Sequence, residues 1–94
     1  MPNVLSDAYG YHIFFWSNEG RPLETIHFHI SKHPHSNSTK VWLLEDGTLK
    51  VANNNDDIPT NDLKRILRLM ELPINIERTK KKWLEHFEEI KYHR

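Results

Sequence analysis

The residues most able to do chemistry form a histidine-rich segment, which carries four of the seven histidines of the chain in Ile26-His27-Phe28-His29-Ile30-Ser31-Lys32-His33-Pro34-His35. On a β-strand, His27 and His29 project from the same face because they are two residues apart. Such a pair suits two ligands of Zn²⁺ or another divalent ion, with His12, His33 or His35 as a third and water as a fourth. An open site of this kind activates water for hydrolysis.

Other features of the sequence weigh against an enzyme. No Asp or Glu lies beside the histidine pair, and no helical His-Glu-x-x-His motif is present. Without a metal, His27 and His29 could serve as general acid and base, but the second copy found in two-histidine phosphoesterases is absent. There is no Gly-x-Ser-x-Gly turn, and the isolated glycines form no phosphate-binding loop. The competing interpretation is that the histidines are structural or bind a partner.

Composition restricts the remaining chemistry. The chain has no cysteine, so a metal must be held by His, Asp or Glu, and disulfides are excluded. The length of 94 residues predicts a single domain over 1–94. No apolar run approaches the roughly 20 residues of a membrane span, and residues 1–7 lack the features of a secretion signal. These observations predict a cytoplasmic protein.

Charge is balanced overall and uneven along the chain. There are 13 basic and 13 acidic residues, but the segment from Thr60 onward has nine basic and six acidic ones. The excess centres on a basic patch of Arg78, Lys80, Lys81 and Lys82. Such a run is either the solvated side of a helix or a surface for a partner.

The first half of the sequence predicts strands, since short β-branched and aromatic stretches alternate with turn residues. The expected strands are 3–6, 11–17, 25–31, 39–44 and 48–52, and Asn18-Glu19-Gly20 ends the second of them. Asp46-Gly47 predicts a tight type I′ hairpin turn, which needs positive φ at both positions. The five strands between residues 3 and 52 are therefore expected to form an antiparallel meander.

The second half predicts two helices, together spanning residues 61–92. Leu63, Ile66, Leu67 and Met70 recur at helical spacing, which predicts a helix over 61–72 that Pro73 ends. A second helix is expected to start at an Asn75 cap and to run toward residue 92, with apolar residues Ile76, Trp83, Phe87 and Ile90 on one side. Strands followed by helices favour an α+β fold: a meander of four to five strands with two C-terminal helices packed on one sheet face.

Strand alternation sorts the side chains between the two faces of the sheet. Ile26, Phe28 and Ile30 are expected to face the helices. The opposite face then combines aromatic, histidine and lysine side chains, namely Phe14, Trp16, His27, His29, Lys40 and Trp42. If exposed, this face predicts a protein partner or self-association, because lone domains rarely expose so much apolar surface. The alternative is that Trp16 or Trp42 turns into the core.

A nucleic-acid ligand is less well supported. Aromatic side chains on an open sheet stack on single-stranded bases, and Lys40 could contact a phosphate. The zero net charge and the missing RNA-recognition signature favour a protein partner, for which tryptophan is a common anchor.

Several segments together resemble an uncharacterised bacterial family, the domain of unknown function numbered 4160: residues 1–5, 11–20, the His27-Phe28-His29 strand, Lys40-Val41-Trp42-Leu43, and the helical end with Leu63, Leu67 and Trp83-Leu84. Members typically have a Pro-His stretch where this chain has Glu24-Thr25-Ile26. The resemblance implies a small bacterial protein, with toxin–antitoxin-like pairing suggested for the family, and no established activity.

The sequence thus favours a non-enzymatic interaction module that needs no cofactor. Such a module is expected to bind a small partner protein through the sheet face that carries the histidines and tryptophans, or through the helix that carries the basic patch. The alternative hypothesis is a His-dependent metal-binding hydrolase or nuclease-like protein that uses His27, His29, His33 and His35, with Zn²⁺ as the most suitable ion.

Overall fold

A computed structural model of the protein describes residues 1–17 and 23–94. The predicted turn at residues 18–20 lies outside the described residues. Five strands precede two helices: β1 (Asn3–Ala8), β2 (Tyr11–Phe14), β3 (His27–Ser31), β4 (Thr39–Leu43), β5 (Leu49–Asn53), α1 (Thr60–Met70) and α2 (Pro73–Leu84).

The strands form one antiparallel sheet in the order β1-β2-β3-β4-β5. Every strand pairs with its neighbour in the sequence, so the predicted meander and the α+β class are confirmed. The central strand β3 brings His29 opposite Phe14 of β2 and His27 opposite Trp42 of β4. His27 and His29, which are among the residues most able to do chemistry, therefore lie in the middle of the sheet.

The β1–β2 hairpin contains a tight turn that the sequence analysis missed. Tyr9 and Gly10 connect the two strands with φ values of 56° and 88°, which is the pattern of a type I′ turn. The carboxylate of Asp7 accepts a hydrogen bond of 2.8 Å from the Gly10 N–H. Because this turn is so short, β1 continues to Ala8 rather than ending at residue 6.

The β4–β5 hairpin occurs where Asp46-Gly47 predicted it, but its turn is of another type. Of the Asp46-Gly47 pair, Gly47 alone has a positive φ, at 86°, so the expectation of a positive φ at Asp46 was wrong. The Gly47 N–H donates to the Leu44 carbonyl at 3.0 Å. Asp46 instead accepts hydrogen bonds from the backbone N–H and the hydroxyl of Thr48. The connection is therefore a three-residue loop that places glycine at its left-handed position.

Helix α1 agrees with the predicted span, whereas α2 differs at both ends. Pro73 occupies the first turn of α2, where its missing N–H costs no hydrogen bond. Asn75 is not a cap of α2, because its side-chain amide donates to the Leu69 carbonyl at the end of α1. The helix ends at Leu84, eight residues before the predicted limit of 92.

Residues 85–94, named here the C-terminal strap, leave the helix to contact the sheet. The Trp83 indole N–H donates to the Glu89 carbonyl, and the Ile26 N–H donates to the Lys91 carbonyl at 2.8 Å. These bonds draw the chain away from the helix axis, so Phe87 and Ile90 contact the core from a non-helical segment.

Both helices lie on one face of the sheet, as predicted, and close the main core. Ile66 and Met70 of α1, with Ile76 and Trp83 of α2, are buried there. The sheet contributes alternating residues to this core, including Ile13, Phe28, Ile30, Val41 and Leu43. Alternation along β3 therefore sorts its apolar residues toward the helices, as the sequence indicated.

The β4–β5 turn supplies a test of the fold. A methyl group at Gly47 would meet no atom within 4 Å, so the cost of Gly47→Ala is the left-handed backbone alone. We expect a loss of about 1 kcal/mol in the free energy of unfolding, measured by urea denaturation. Gly47→Asn is the control and should lose less, because asparagine tolerates this conformation. A Gly47→Ala protein as stable as the unchanged protein would contradict the turn geometry.

Candidate functional site

The sheet face opposite the helices is not the open surface that its composition suggested. Phe14, His27 and His29 are buried, and Trp16 and Trp42 are half-buried. The exposure on which the partner-binding prediction for this face depended is therefore not met by the first three residues. Neither tryptophan joins the main core, so the alternative prediction is not met either.

The three buried residues of this face form a row of ring contacts with the half-buried Trp16 at one end and Trp83 of the main core at the other. Trp16 contacts Phe14 edge-on at 5.4 Å between ring centroids, and Phe14 contacts His29 at 5.4 Å. His29 then meets His27 at 5.1 Å, and His27 meets Trp83 of α2 at 5.3 Å. We call these five residues the ring row. It links the sheet directly to the second helix, so His27 and His29 are part of the packing.

Backbone carbonyls fix the ring orientation of both histidines. The Nδ1 atom of His27 lies 2.8 Å from the Thr25 carbonyl, and that of His29 lies 3.3 Å from the Ser38 carbonyl. A carbonyl oxygen can only accept, so Nδ1 carries the proton in each ring. Nε2 is then the nitrogen with a lone pair when the ring is neutral. Histidines that bind metals commonly have this same Nδ1–H to carbonyl arrangement.

The other two histidines of the predicted metal set lie beyond the opposite end of β3. His33 and His35 line a polar pocket of about 470 Å³ together with Asp56 and other residues from the ends of β2 and β3 and the loop before α1. The structure therefore separates the four histidines into two pairs. Within residues 1–17 and 23–94, no three His, Asp or Glu side chains are grouped so as to hold a metal ion.

Asp56 is the centre of a hydrogen-bonded clamp at this pocket. One carboxylate oxygen accepts from the Thr39 N–H at 2.7 Å, and the other lies 2.6 Å from His35 Nε2. The second nitrogen of His35, Nδ1, accepts from the Asn37 N–H. Both ring nitrogens of His35 are therefore engaged, and this histidine ties the β3–β4 loop to the loop before α1. Sequence reasoning missed Asp56, since only the fold brings it to His35.

The predicted basic patch is partly neutralised by neighbouring acids. Lys80 pairs with Glu77 at 3.9 Å, and Lys82 pairs with Glu85 at 3.7 Å. Arg78 and Lys81 are exposed, and neither forms an ion pair within the described part of the chain. The patch therefore presents two exposed cations, Arg78 and Lys81, that pair with no acid among the described residues.

A second surface, which the sequence analysis did not identify, lies where α1 turns into α2. Leu72 and Ile74 flank Pro73 with 49% and 68% of their surface exposed, and Tyr9 of the first hairpin is 51% exposed. Tyr9, Leu72, Arg65 and Arg68 line one shallow pocket, and the Arg65 guanidinium lies 4.1 Å above the Tyr9 ring. We call Tyr9, Arg65, Arg68, Leu72 and Ile74 the corner surface. The only sequence signal for it was an apolar residue on each side of the proline.

Fold and sites together define a small α+β protein with a buried histidine pair and a hydrogen-bonded Asp56 clamp. The chain belongs to the family described as a domain of unknown function, DUF4160, which it matches over residues 10–84. No curated protein and no solved structure matches it. Among the described residues, neither helix has the length and apolar character that crossing a membrane requires.

The clamp generates a prediction about acid stability. Burial alone raises the pKa of Asp56, but hydrogen bonds from Thr39 and His35 outweigh it and hold the pKa below the ordinary 3.8. The ionised carboxylate therefore stabilises the fold at pH values above 3.8. This contribution is lost as the pH falls from 3.8 through the lower pKa of the folded state. Asp56→Ala should cost about 2 kcal/mol at pH 7 and progressively less below pH 4.

The measurement is urea denaturation across pH 2.5 to 7. Glu45→Ala is the matched control, since Glu45 is an exposed acid in the β4–β5 loop, and it should change stability little at any pH. A cost of Asp56→Ala that stayed constant down to pH 2.5 would contradict the charge-assisted clamp.

Proposed function

We propose that the protein is a non-enzymatic interaction module that binds a partner protein through its corner surface. The observation that carries this proposal is that Tyr9, Leu72 and Ile74, three of the five exposed large apolar side chains among the described residues, lie around the turn between the helices and the first hairpin. Exposed apolar groups of this size, gathered at one place and rimmed by charge, are typical of interaction sites. The proposal includes the toxin–antitoxin-like pairing in a bacterial cytoplasm that the family resemblance implies.

The composition of the corner surface supports a protein partner. Tyrosine and arginine are enriched among the residues that dominate binding energy at interfaces. The Arg65 guanidinium is stacked on the Tyr9 ring, so both side chains are already ordered. Side chains that are ordered before association lose less conformational entropy on binding.

The charges around the surface indicate what kind of partner fits. Arg65 and Arg68 lie on α1, and Arg78 and Lys81 continue along α2 at positions that share one side with Ile74. Within residues 1–17 and 23–94 none of these four cations forms an ion pair. The complementary partner therefore carries acidic residues around one or two apolar side chains.

A groove extends the corner surface along α2. It has a volume of about 440 Å³ and runs between α2 and the start of β1. Ile74 lies at this groove together with Arg78 and Lys81 of the basic patch. Glu77 and Glu85 also line it, but they pair with Lys80 and Lys82, so the apolar part adjoins two cations that these acids do not pair with. The groove offers a partner segment a longer contact than the corner alone.

The test is purification of the protein from its native host followed by native mass spectrometry. A second protein is expected at fixed stoichiometry. Replacing both corner aliphatics, Leu72→Ser with Ile74→Ser, should weaken its binding about thirtyfold or more, as loss of dominant interface residues does. The double variant Arg68→Glu with Lys81→Glu should weaken partner binding more at low salt than at high salt.

Two control variants separate the corner surface from general changes of the surface. Leu84→Ser removes an aliphatic side chain that is 50% exposed and does not line the groove. Lys50→Glu reverses a charge on β5, away from both helices. Both should retain the partner at full stoichiometry. If the corner variants also retained it while folded, the corner surface would not be the binding site.

The second candidate function is metal binding at the histidine pair, with Zn²⁺ or a similar ion used in hydrolysis. The observation that favours it is the Nδ1–H to carbonyl hydrogen bond of both His27 and His29, an arrangement typical of metal-binding histidines. Two histidines require further ligands. In this proposal these come from water or substrate, which reach the buried rings only when the residues packed against them move apart.

Zinc titration distinguishes the metal-binding function from the interaction module. Protein purified without chelator should contain, or take up, one Zn²⁺ per chain by calorimetry, and His29→Gln should abolish this uptake in folded protein. His86→Ala is the control, since His86 is exposed and lies outside the pair. Protein that is free of metal and takes up neither Zn²⁺ nor Mn²⁺ would rule this candidate out.

A further inference from the structure

The C-terminal strap ends on an aromatic contact that differs from every other ring contact in the protein's described part. The imidazole of His93 is stacked face to face on the indole of Trp42, with centroids 3.5 Å apart and planes only 9° from parallel. The remaining ring pairs are edge-on or tilted. One face of Trp42 is therefore a flat platform that accepts a planar nitrogen heterocycle.

His93 is attached only loosely to this platform. The last backbone hydrogen bond of the strap is the one from Ile26 to Lys91, and Tyr92 packs against the core. Beyond that point, within the described residues, the stack on Trp42 is the contact that holds His93. Segments held by so few bonds open at low free-energy cost. Trp42 can therefore be uncovered without disturbing the sheet.

The surroundings of Trp42 suit a ring that carries negative charge. Lys50 lies directly opposite Trp42 in the β4–β5 register, so the two side chains project from the same face of the sheet. Lys50 is exposed and has no ion pair among the described residues. Lys40, two residues from Trp42 on the same strand, pairs with Glu24 at 3.3 Å. Lys50 is thus the available cation beside the platform.

We propose that Trp42 is a binding platform for a purine nucleotide, whose phosphate contacts Lys50 and whose base displaces His93. An imidazole covers only part of the indole, whereas a purine has a bicyclic ring of matching size and gains more stacking area. His93 is then a tethered competitor that weakens nucleotide binding. The ligand is either a free nucleotide or a purine of a single strand, since both present a base with a phosphate.

The test follows tryptophan fluorescence during titration with AMP. His93→Ala removes the competitor and should bind AMP about five- to tenfold more tightly than the unchanged protein. Because His93 lies in the strap beyond the last backbone hydrogen bond, this variant keeps the fold intact. Equal affinity of the two proteins for AMP, or no binding by either, would overturn the proposal.

Further variants assign the contacts. In the His93→Ala protein, Trp42→Leu should abolish binding, with circular dichroism confirming that the protein is folded. Lys50→Gln should weaken AMP binding and leave adenosine binding unchanged, because adenosine has no phosphate. Retained AMP affinity in folded Trp42→Leu protein would also overturn the proposal. Tighter binding of a single-stranded adenine decamer than of AMP would identify a single strand as the ligand. Similar affinity for the two would identify the free nucleotide as the ligand.

Discussion

The structure depends on the burial of β3 on both of its faces. One face contributes Phe28 and Ile30 to the core beneath the helices, and the other contributes His27 and His29 to the ring row. Buried imidazoles need hydrogen-bond partners, so the carbonyls of Thr25 and Ser38 must lie where they do. These two bonds tie the residues just before β3 and just before β4 to the buried rings.

Much of the fold was predictable because the relevant signals are local. The periodic apolar residues of α1, the Asp46-Gly47 connection and the alternation along β3 each depend on a few neighbouring residues. Local signals still left the type of the Asp46-Gly47 turn wrong and the Tyr9-Gly10 turn unnoticed. The largest error occurred where a distant contact decided the outcome. Helix α2 ends at Leu84 because residues 85–94 bond to Ile26 and Trp83, which no local pattern indicates.

The sites were less predictable than the fold. The spacing of His27 and His29 correctly placed both on one face of a strand, but spacing cannot show whether that face is covered. The pairing of His35 with Asp56 joins residues 21 positions apart, and it converts a candidate metal ligand into a structural contact. Tyr9 and Leu72 come together only after α1 has packed on the sheet. Surfaces built by packing leave little trace in sequence spacing.

The strap also has a consequence for the order in which the protein assembles. Each strand pairs only with its neighbour in the sequence, so the sheet can grow in step with synthesis, one hairpin after another. The hydrogen bond between Ile26 and Lys91 closes a loop of most of the chain, and it must wait until residues 85–94 have left the ribosome. The start of β3 therefore remains unprotected until residues 85–94 have been made, and its closure comes after the hairpins have formed.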